Sequence, residues 1–336
     1  MTVDAQRRPR FADPGFWLGS LRVEGRALMA PMVGYNEAPL RRICRRFGSA
    51  LAVTEMIKPE KLLRDDPQLL RGLCFGPDER PLGAQLALRE PSLLVPAAER
   101  VVEFGFDFVD LNLGCPLKKE CRRGWGAALL REPERAQALI SAVVEAVPCP
   151  VSVKVRAGYE LGERQGAEVA RRAVDAGAAL VCVHGRTKMG WYREPNDPAA
   201  IRDVVRAVEG RVPVVGNGDV VSLESAVALF AETGCDAVMI GRGAVGNPWL
   251  FRRIDLYLRS GEVLPEPAFD EVRALYREHL DQLEEAFGAR RGFSQGKRYA
   301  YYYFGRFGLD NRTRARIAGA RRRAELEDVL DALAGA

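Results

Sequence analysis

Short apolar runs alternate with amphipathic stretches eight times between residues 27 and 258. The runs occupy 27–30, 51–54, 82–88, 106–113, 150–156, 179–184, 212–215 and 237–241. Each has the length of one buried strand and is too short for a buried helix. The stretches between them, such as 91–103, 132–146, 162–176, 198–208 and 223–233, carry apolar residues at helical spacing. Strands that alternate with helices predict a parallel sheet with crossover helices. Eight such units in about 230 residues predict an α/β fold of the TIM (β/α)8 barrel type. A doubly wound open sheet is the alternative. No Gly-x-Gly-x-x-Gly follows the first run, which counts against its dinucleotide-binding form.

In a barrel the chemistry sits where strands end. The fourth run ends in Asn112-Leu113-Gly114-Cys115-Pro116, so Gly and Pro break the strand and leave Cys115 on a loop at the active face. A thiol there is a candidate acid or nucleophile, or else a small residue buried in a tight turn. Glu55, Gln85, Asn112, Lys154, Arg156 and His184 also close their runs, and together they would line one pocket. Lys154 ends an apolar strand and could set its charge beside an electron-rich ring. Two Gly-rich turns, Val215-Gly216-Asn217-Gly218-Asp219 and Ile240-Gly241-Arg242-Gly243, follow the seventh and eighth runs, with a short helix expected near 247–253. Turns in those positions expose backbone N–H groups to a phosphate, and Arg242 would add a fixed charge.

Beyond the barrel the pattern changes. Gly261, Pro265 and Pro267 read as a linker, and helical spacing returns at 270–287, 294–307, 312–318 and 321–333. The expected division is an N-terminal tail at 1–20, a barrel at 21–260 and an all-helical domain at 261–336. From 290 to 323 there are eleven Lys or Arg against one acid, with aromatics interleaved. Such a surface suits nucleic acid, by phosphate neutralisation and base stacking. Lys297, Arg298, Arg312, Arg314 and Arg316 are the expected contacts. The competing reading is a solvated basic face over an aromatic core.

Composition removes several classes. No apolar run approaches the length of a membrane span, and the first ten residues are polar, so a cytoplasmic location is expected. Seven cysteines without a Cys-x-x-Cys pair argue against a disulfide framework. Two histidines, His184 and His279, make a metal site unexpected. A monomer is the expected state.

Taken together, these motifs resemble the tRNA-dihydrouridine synthases, FMN-dependent enzymes that reduce uridine in RNA. The resemblance runs from Ala30-Pro31-Met32-Val33-Gly34 through Thr54-Glu55-Met56, Gln85 and Asn112-Leu113-Gly114-Cys115-Pro116 to Gly124-Trp125-Gly126. It continues at Lys154-Val155-Arg156, His184-Gly185-Arg186-Thr187, Asn217-Gly218-Asp219 and Gly241-Arg242-Gly243. It implies an FMN in the barrel mouth, contacted by Pro31, Met32 and Val33. Gln85 and Lys154 would face its ring and His184 would sit near it. Asn217, Gly218, Asp219, Gly241 and Arg242 would hold its phosphate. Asn112 would touch the uracil, with Arg156 and Arg186 on the substrate side, and the C-terminal helices would bind tRNA.

The resemblance also implies a reaction. NADPH or NADH reduces the flavin, hydride passes to C6 of uracil, and Cys115 protonates C5. A thiol with an ordinary pKa near 8.5 keeps its proton at neutral pH and can act as the acid. A target uridine must leave its stack, which costs least in a loop such as the tRNA D-loop. Two other readings stand beside this one: an FMN-dependent barrel oxidoreductase acting on a small molecule, and an RNA-binding protein without catalysis. The family often has Thr-Asp after the first Gly, where this chain has Tyr35-Asn36-Glu37.

Overall fold

A computed structural model describes residues 9, 11–191 and 193–334. The outer ends of the expected tail and helical domain, 1–8, 10 and 335–336, lie outside the described residues. Ten strands are present among the described residues: β1 Phe16–Leu18, β2 Leu21–Val23, β3 Ala27–Met29, β4 Ala52–Val53, β5 Leu82–Ala87, β6 Phe108–Asn112, β7 Val151–Arg156, β8 Leu180–His184, β9 Val214–Asn217 and β10 Ala237–Ile240. Strands β3 to β10 pair in parallel, and β10 pairs with both β9 and β3, so the sheet closes into an eight-stranded barrel. This is the TIM barrel expected from the eight runs.

Side chains alternate between the two faces of each strand. Val109 and Leu111 of β6, Val151, Val153 and Val155 of β7, and Val181 and Val183 of β8 pack outward in the layer shared with the helices. Phe108 of β6, Leu180 and Cys182 of β8 and Met239 of β10 belong to a second cluster that fills the barrel interior. The same alternation turns Asp110, Asn112, Ser152, Lys154, Arg156, His184 and Asn217 inward. The lower interior is therefore apolar and its upper layers are polar.

Part of the expected tail is structured. β1 and β2 form an antiparallel hairpin whose Phe16, Leu18 and Val23 join the interior cluster. Gly19 at its turn lies against Pro150 and Ala179, next to the starts of β7 and β8. The hairpin thus closes the end of the barrel opposite the expected site.

The helix Trp249–Ser260 is longer than the short one expected near 247–253. It is followed by helices Phe269–Phe287, Ala289–Tyr303, Asn311–Gly319 and Arg323–Ala334. The second of these begins five residues before its expected start at 294. Gly292 and Gly296 on this helix let it touch the helix before it. A Cβ at Gly292 would stand 2.4 Å from Glu284 Cα, and one at Gly296 2.3 Å from Leu280 Cδ1. Much of the aromatic content of this segment is core: Tyr299, Tyr303 and Phe304 are fully buried.

Candidate active site

The polar upper layers of the barrel are knitted across neighbouring strands. Register places Gln85 beside Asp110, Asp110 beside Ser152, Asn112 beside Lys154, Arg156 beside His184 and His184 beside Asn217. Asn112 Nδ2 donates to Gln85 Oε1 at 2.7 Å, and Gln85 Nε2 donates to Asp110 Oδ2 at 2.7 Å. Burial pushes the Asp110 carboxyl up to about 6, against the donors Gln85 and Ser152 and the charge of Lys154. Sequence reading missed Asp110 and Ser152. The signal was there: both lie two residues before a named inward residue, at the strand period.

Cys115 follows β6 on a loop held from three sides. Asn112 Oδ1 accepts from the backbone N–H groups of Cys115 at 2.8 Å and Gly114 at 3.2 Å. Arg156 Nε donates to Gly114 O at 2.7 Å, and Ala127 N donates to Cys115 O at 3.1 Å. Gly126 has φ of +59° and sits so close that a Cβ there would stand 2.7 Å from Cys115 O. The thiol is half-buried. Burial, the largest influence, raises its pKa, so it keeps its proton at neutral pH.

On β7 and on the loops after β8 and β10, cations gather. Lys154 Nζ donates to Asn217 Oδ1 at 2.9 Å, and Asn217 Nδ2 donates to Met239 O at 2.8 Å. Burial lowers the Lys154 pKa. His184 is held well below its ordinary value, first by burial and then by the charges of Arg156, Lys154, Arg186 and Arg242. It is a neutral imidazole among four cations. Arg186 donates to Asp219 Oδ2 at 2.5 Å and to Glu194 O, and approaches His184 Nε2 at 3.4 Å. Arg242 lies 3.9 Å from the same Asp219 carboxylate.

Three sequence assignments change. Asn217 is the last residue of β9 rather than part of the turn after it, because its side chain ties into β10 and to Lys154. Asp219 is an anion that pairs with Arg186, so its side chain orients a cation and does not itself suit a phosphate. Lys297 Nζ donates to Ala318 O and Ala320 O, each at 2.9 Å. It closes the carboxyl end of the helix Asn311–Gly319, where carbonyls lack helix partners. Arg298 does reach the barrel: its Nη2 donates to Gly34 O at 2.9 Å, and its guanidinium lies 4.6 Å from the Tyr35 ring centre. Arg312, Arg314 and Arg316 are exposed on Asn311–Gly319.

Pro31 and Met32 are half-exposed at the end of β3, Val33 is 73% exposed, and Met32 Sδ lies 3.5 Å from where a Cβ of Gly241 would be. Sequence reading also missed Asn196. Its Oδ1 is buried without a hydrogen-bond partner, against Gly185 and Gly218. Among the described residues no group of three or more His, Cys, Asp or Glu is placed to hold a metal ion. No described helix is long and apolar enough to cross a membrane.

A dihydrouridine synthase (Dus) family model matches residues 28–334. The chain belongs to the dihydrouridine synthase family. Family relatives named tRNA-dihydrouridine synthase B include one from Pseudomonas aeruginosa, 38% identical over 85% of this chain and 86% of its own length. Another, from Xanthomonas axonopodis pv. citri, is 36% identical over 94% of this chain and 93% of its own. Among solved structures, histamine dehydrogenase from Rhizobium sp. 4-9 is similar at a TM-score of 0.57 and 16% identity over 73% of this chain. The chain spans 47% of that protein, and the likeness is one of barrel fold. The family match begins at β3 and runs into the final helix, so it takes in the Cys115 loop, the cation cluster and the C-terminal helices.

Proposed function

We propose that this dihydrouridine synthase reduces uridine in tRNA to 5,6-dihydrouridine, with FMN in the barrel mouth and NADPH or NADH as the reductant. The observation that carries the reading is Cys115. A thiol kept protonated by burial stands on a pinned loop beside β7, whose Lys154 and Arg156 begin a group of cations that continues in Arg186 and Arg242.

The residues suit FMN. Its phosphate needs positive charge and close backbone N–H groups. Arg242, Arg186 and the glycine-rich turns at 216–218 and 241–243 supply both. Lys154 has three N–H donors, and one goes to Asn217, so the others can meet an electron-rich ring edge. His184, uncharged, can share a hydrogen bond without adding another positive charge. Bound FMN supplies the hydride that uracil receives at C6.

The chain's own residues do the rest. Asn112 and Gln85 present side-chain amides to the uracil edge. Cys115 gives its proton to C5, where the developing enolate-like carbanion needs one. Lys154 stabilises negative charge in a site where low dielectric strengthens it. Arg156 holds Gly114 O and Thr187 O, so it fixes the Cys115 loop from the substrate side. The barrel at 21–260 carries the chemistry and the helices of 261–336 carry the RNA. There Arg312, Arg314 and Arg316 meet phosphates and Arg298 lies at the rim beside Tyr35.

The test is to incubate purified protein with NADPH and an unmodified tRNA transcript. Dihydrouridine in the product, with NADPH consumption that depends on the transcript, is the expected result. NADPH oxidation that ignores the transcript would point to a small-molecule substrate instead.

A further inference from the structure

Asp110 lies inside the barrel, one inward position before Asn112 on β6, and is 3% exposed. Both of its oxygens are engaged. Ser152 Oγ donates to Oδ1 at 2.6 Å and Gln85 Nε2 donates to Oδ2 at 2.7 Å. Gln85 Oε1 accepts from Asn112 Nδ2 at 2.7 Å, and Asn112 Oδ1 accepts from Cys115 N at 2.8 Å. The result is an unbroken line of hydrogen bonds from the barrel interior to the backbone of Cys115.

Every link in that line has a direction. A carboxylate only accepts and a backbone N–H only donates, whereas each primary amide has one donor side and one acceptor side. Turning over either amide would set two donors or two acceptors face to face. The line is therefore fixed at both ends, and a mismatched buried pair is strongly disfavoured.

We propose that Asp110 is a positioning residue that sets the hydrogen-bond polarity of the Gln85–Asn112 amide pair and through it holds Cys115. The proposal rests on the reading of Cys115 as the proton donor. Asp110 touches neither the thiol nor the residues assigned to the phosphate. It acts by giving Gln85 an acceptor at the inner end. Gln85 then shows oxygen to Asn112, and Asn112 shows oxygen to the Cys115 loop. Asparagine at 110 would keep this polarity, since its oxygen still accepts from Gln85 and its nitrogen can donate to Ser152.

The test compares Asp110→Ala and Asp110→Asn in the flavin-loaded enzyme. Peptide-resolved mass spectrometry follows iodoacetamide alkylation of Cys115, with exposed Cys74 as the internal control. Asp110→Ala should speed Cys115 alkylation about fivefold, the size of one lost neutral hydrogen bond, with Cys74 unchanged. Asp110→Asn should stay within about twofold of the parent enzyme. In single turnovers, Asp110→Ala should slow oxidation of the reduced enzyme by unmodified tRNA about tenfold, the cost of misplacing an acid, and leave reduction by NADPH unchanged.

If Asp110→Ala does not accumulate, Gln85→Met severs the same line one link further on, and it should release Cys115 likewise. Unchanged Cys115 alkylation in the severed variants, or Asp110→Asn matching Asp110→Ala, would overturn the proposal. So would equal slowing of both half-reactions. Alkylation judges the hydrogen-bond line without reference to turnover. Full activity in Cys115→Ala would instead remove the proton-donor reading.

Discussion

Lys154 Nζ and Asn217 Oδ1 lie 2.9 Å apart and join β7 to β9 over the intervening β8. The contact places the buried ammonium of the barrel mouth beside the first glycine-rich turn. Replacing Lys154 with Met removes the charge at similar length. Flavin reduction by NADPH should then fall by about 10²-fold, the scale of losing one preorganised electrostatic contact. Stopped-flow absorbance measures it, and a rate equal to the parent's would take Lys154 out of the site.

The proposed RNA surface predicts a salt signature. Arg312, Arg314 and Arg316 are exposed on one short helix, Asn311–Gly319. Changing all three to Gln should weaken tRNA binding. The slope of log affinity against log salt should become shallower by about 2 to 3, at somewhat under one per phosphate contact. Bound flavin should stay the same. An unaltered slope would place the RNA elsewhere.

Gly126 predicts a steric effect on the Cys115 loop. Its φ of +59° is unfavourable for any side chain, and a Cβ would stand 3.0 Å from Cys115 Cβ. Gly126→Ala should cost about 1 kcal/mol or more of stability. It should also slow dihydrouridine formation more than it slows flavin reduction. Chemical denaturation and the two half-reactions measure these separately.

Two buried groups give opposite pH dependences. Burial raises Asp110 from 3.8 to about 6, so between those values the folded protein holds a proton that the unfolded chain releases. Its contribution to stability is therefore present at low pH and lost as pH rises through about 6. Asp110→Asn does not titrate. Its stability relative to the parent should rise by about 2 kcal/mol from pH 4.5 to pH 7. His184 is held neutral, so its contribution is present above 6.5 and lost as pH falls below that value. Denaturant titrations at pH 4.5, 5.5 and 7 check both, and a pH-independent gap between Asp110→Asn and the parent would contradict the first.

The barrel was legible because outward-facing residues such as Val151, Val153 and Val155 mark a strand that packs under helices. Lys154 and Arg156 were legible because they interrupt that apolar run at its end. Asp110 and Ser152 were legible as inward residues from their spacing but not as a linked pair, since a polar residue midway along a strand carries no sign of the partner that satisfies it. That partner comes from the neighbouring strand, and only register reveals it. Ordinary charge reasoning also misplaced Lys297. A lysine in a basic stretch looks like a phosphate contact until the carbonyls of Ala318 and Ala320 are seen in front of it. The hairpin at Phe16–Val23 was hidden for a different reason, since its strands are three residues each and fall below any readable period.

If Cys115 is the acid, Cys115→Ala keeps the flavin half of the reaction and loses the RNA half. The variant is purified, its flavin spectrum recorded, its reduction by NADPH timed, and dihydrouridine counted after incubation with unmodified tRNA. Flavin content and NADPH reduction should stay parent-like, with dihydrouridine formation lowered by about 10²-fold or more, the contribution of a positioned proton donor. Dihydrouridine formed at the parent rate would contradict it.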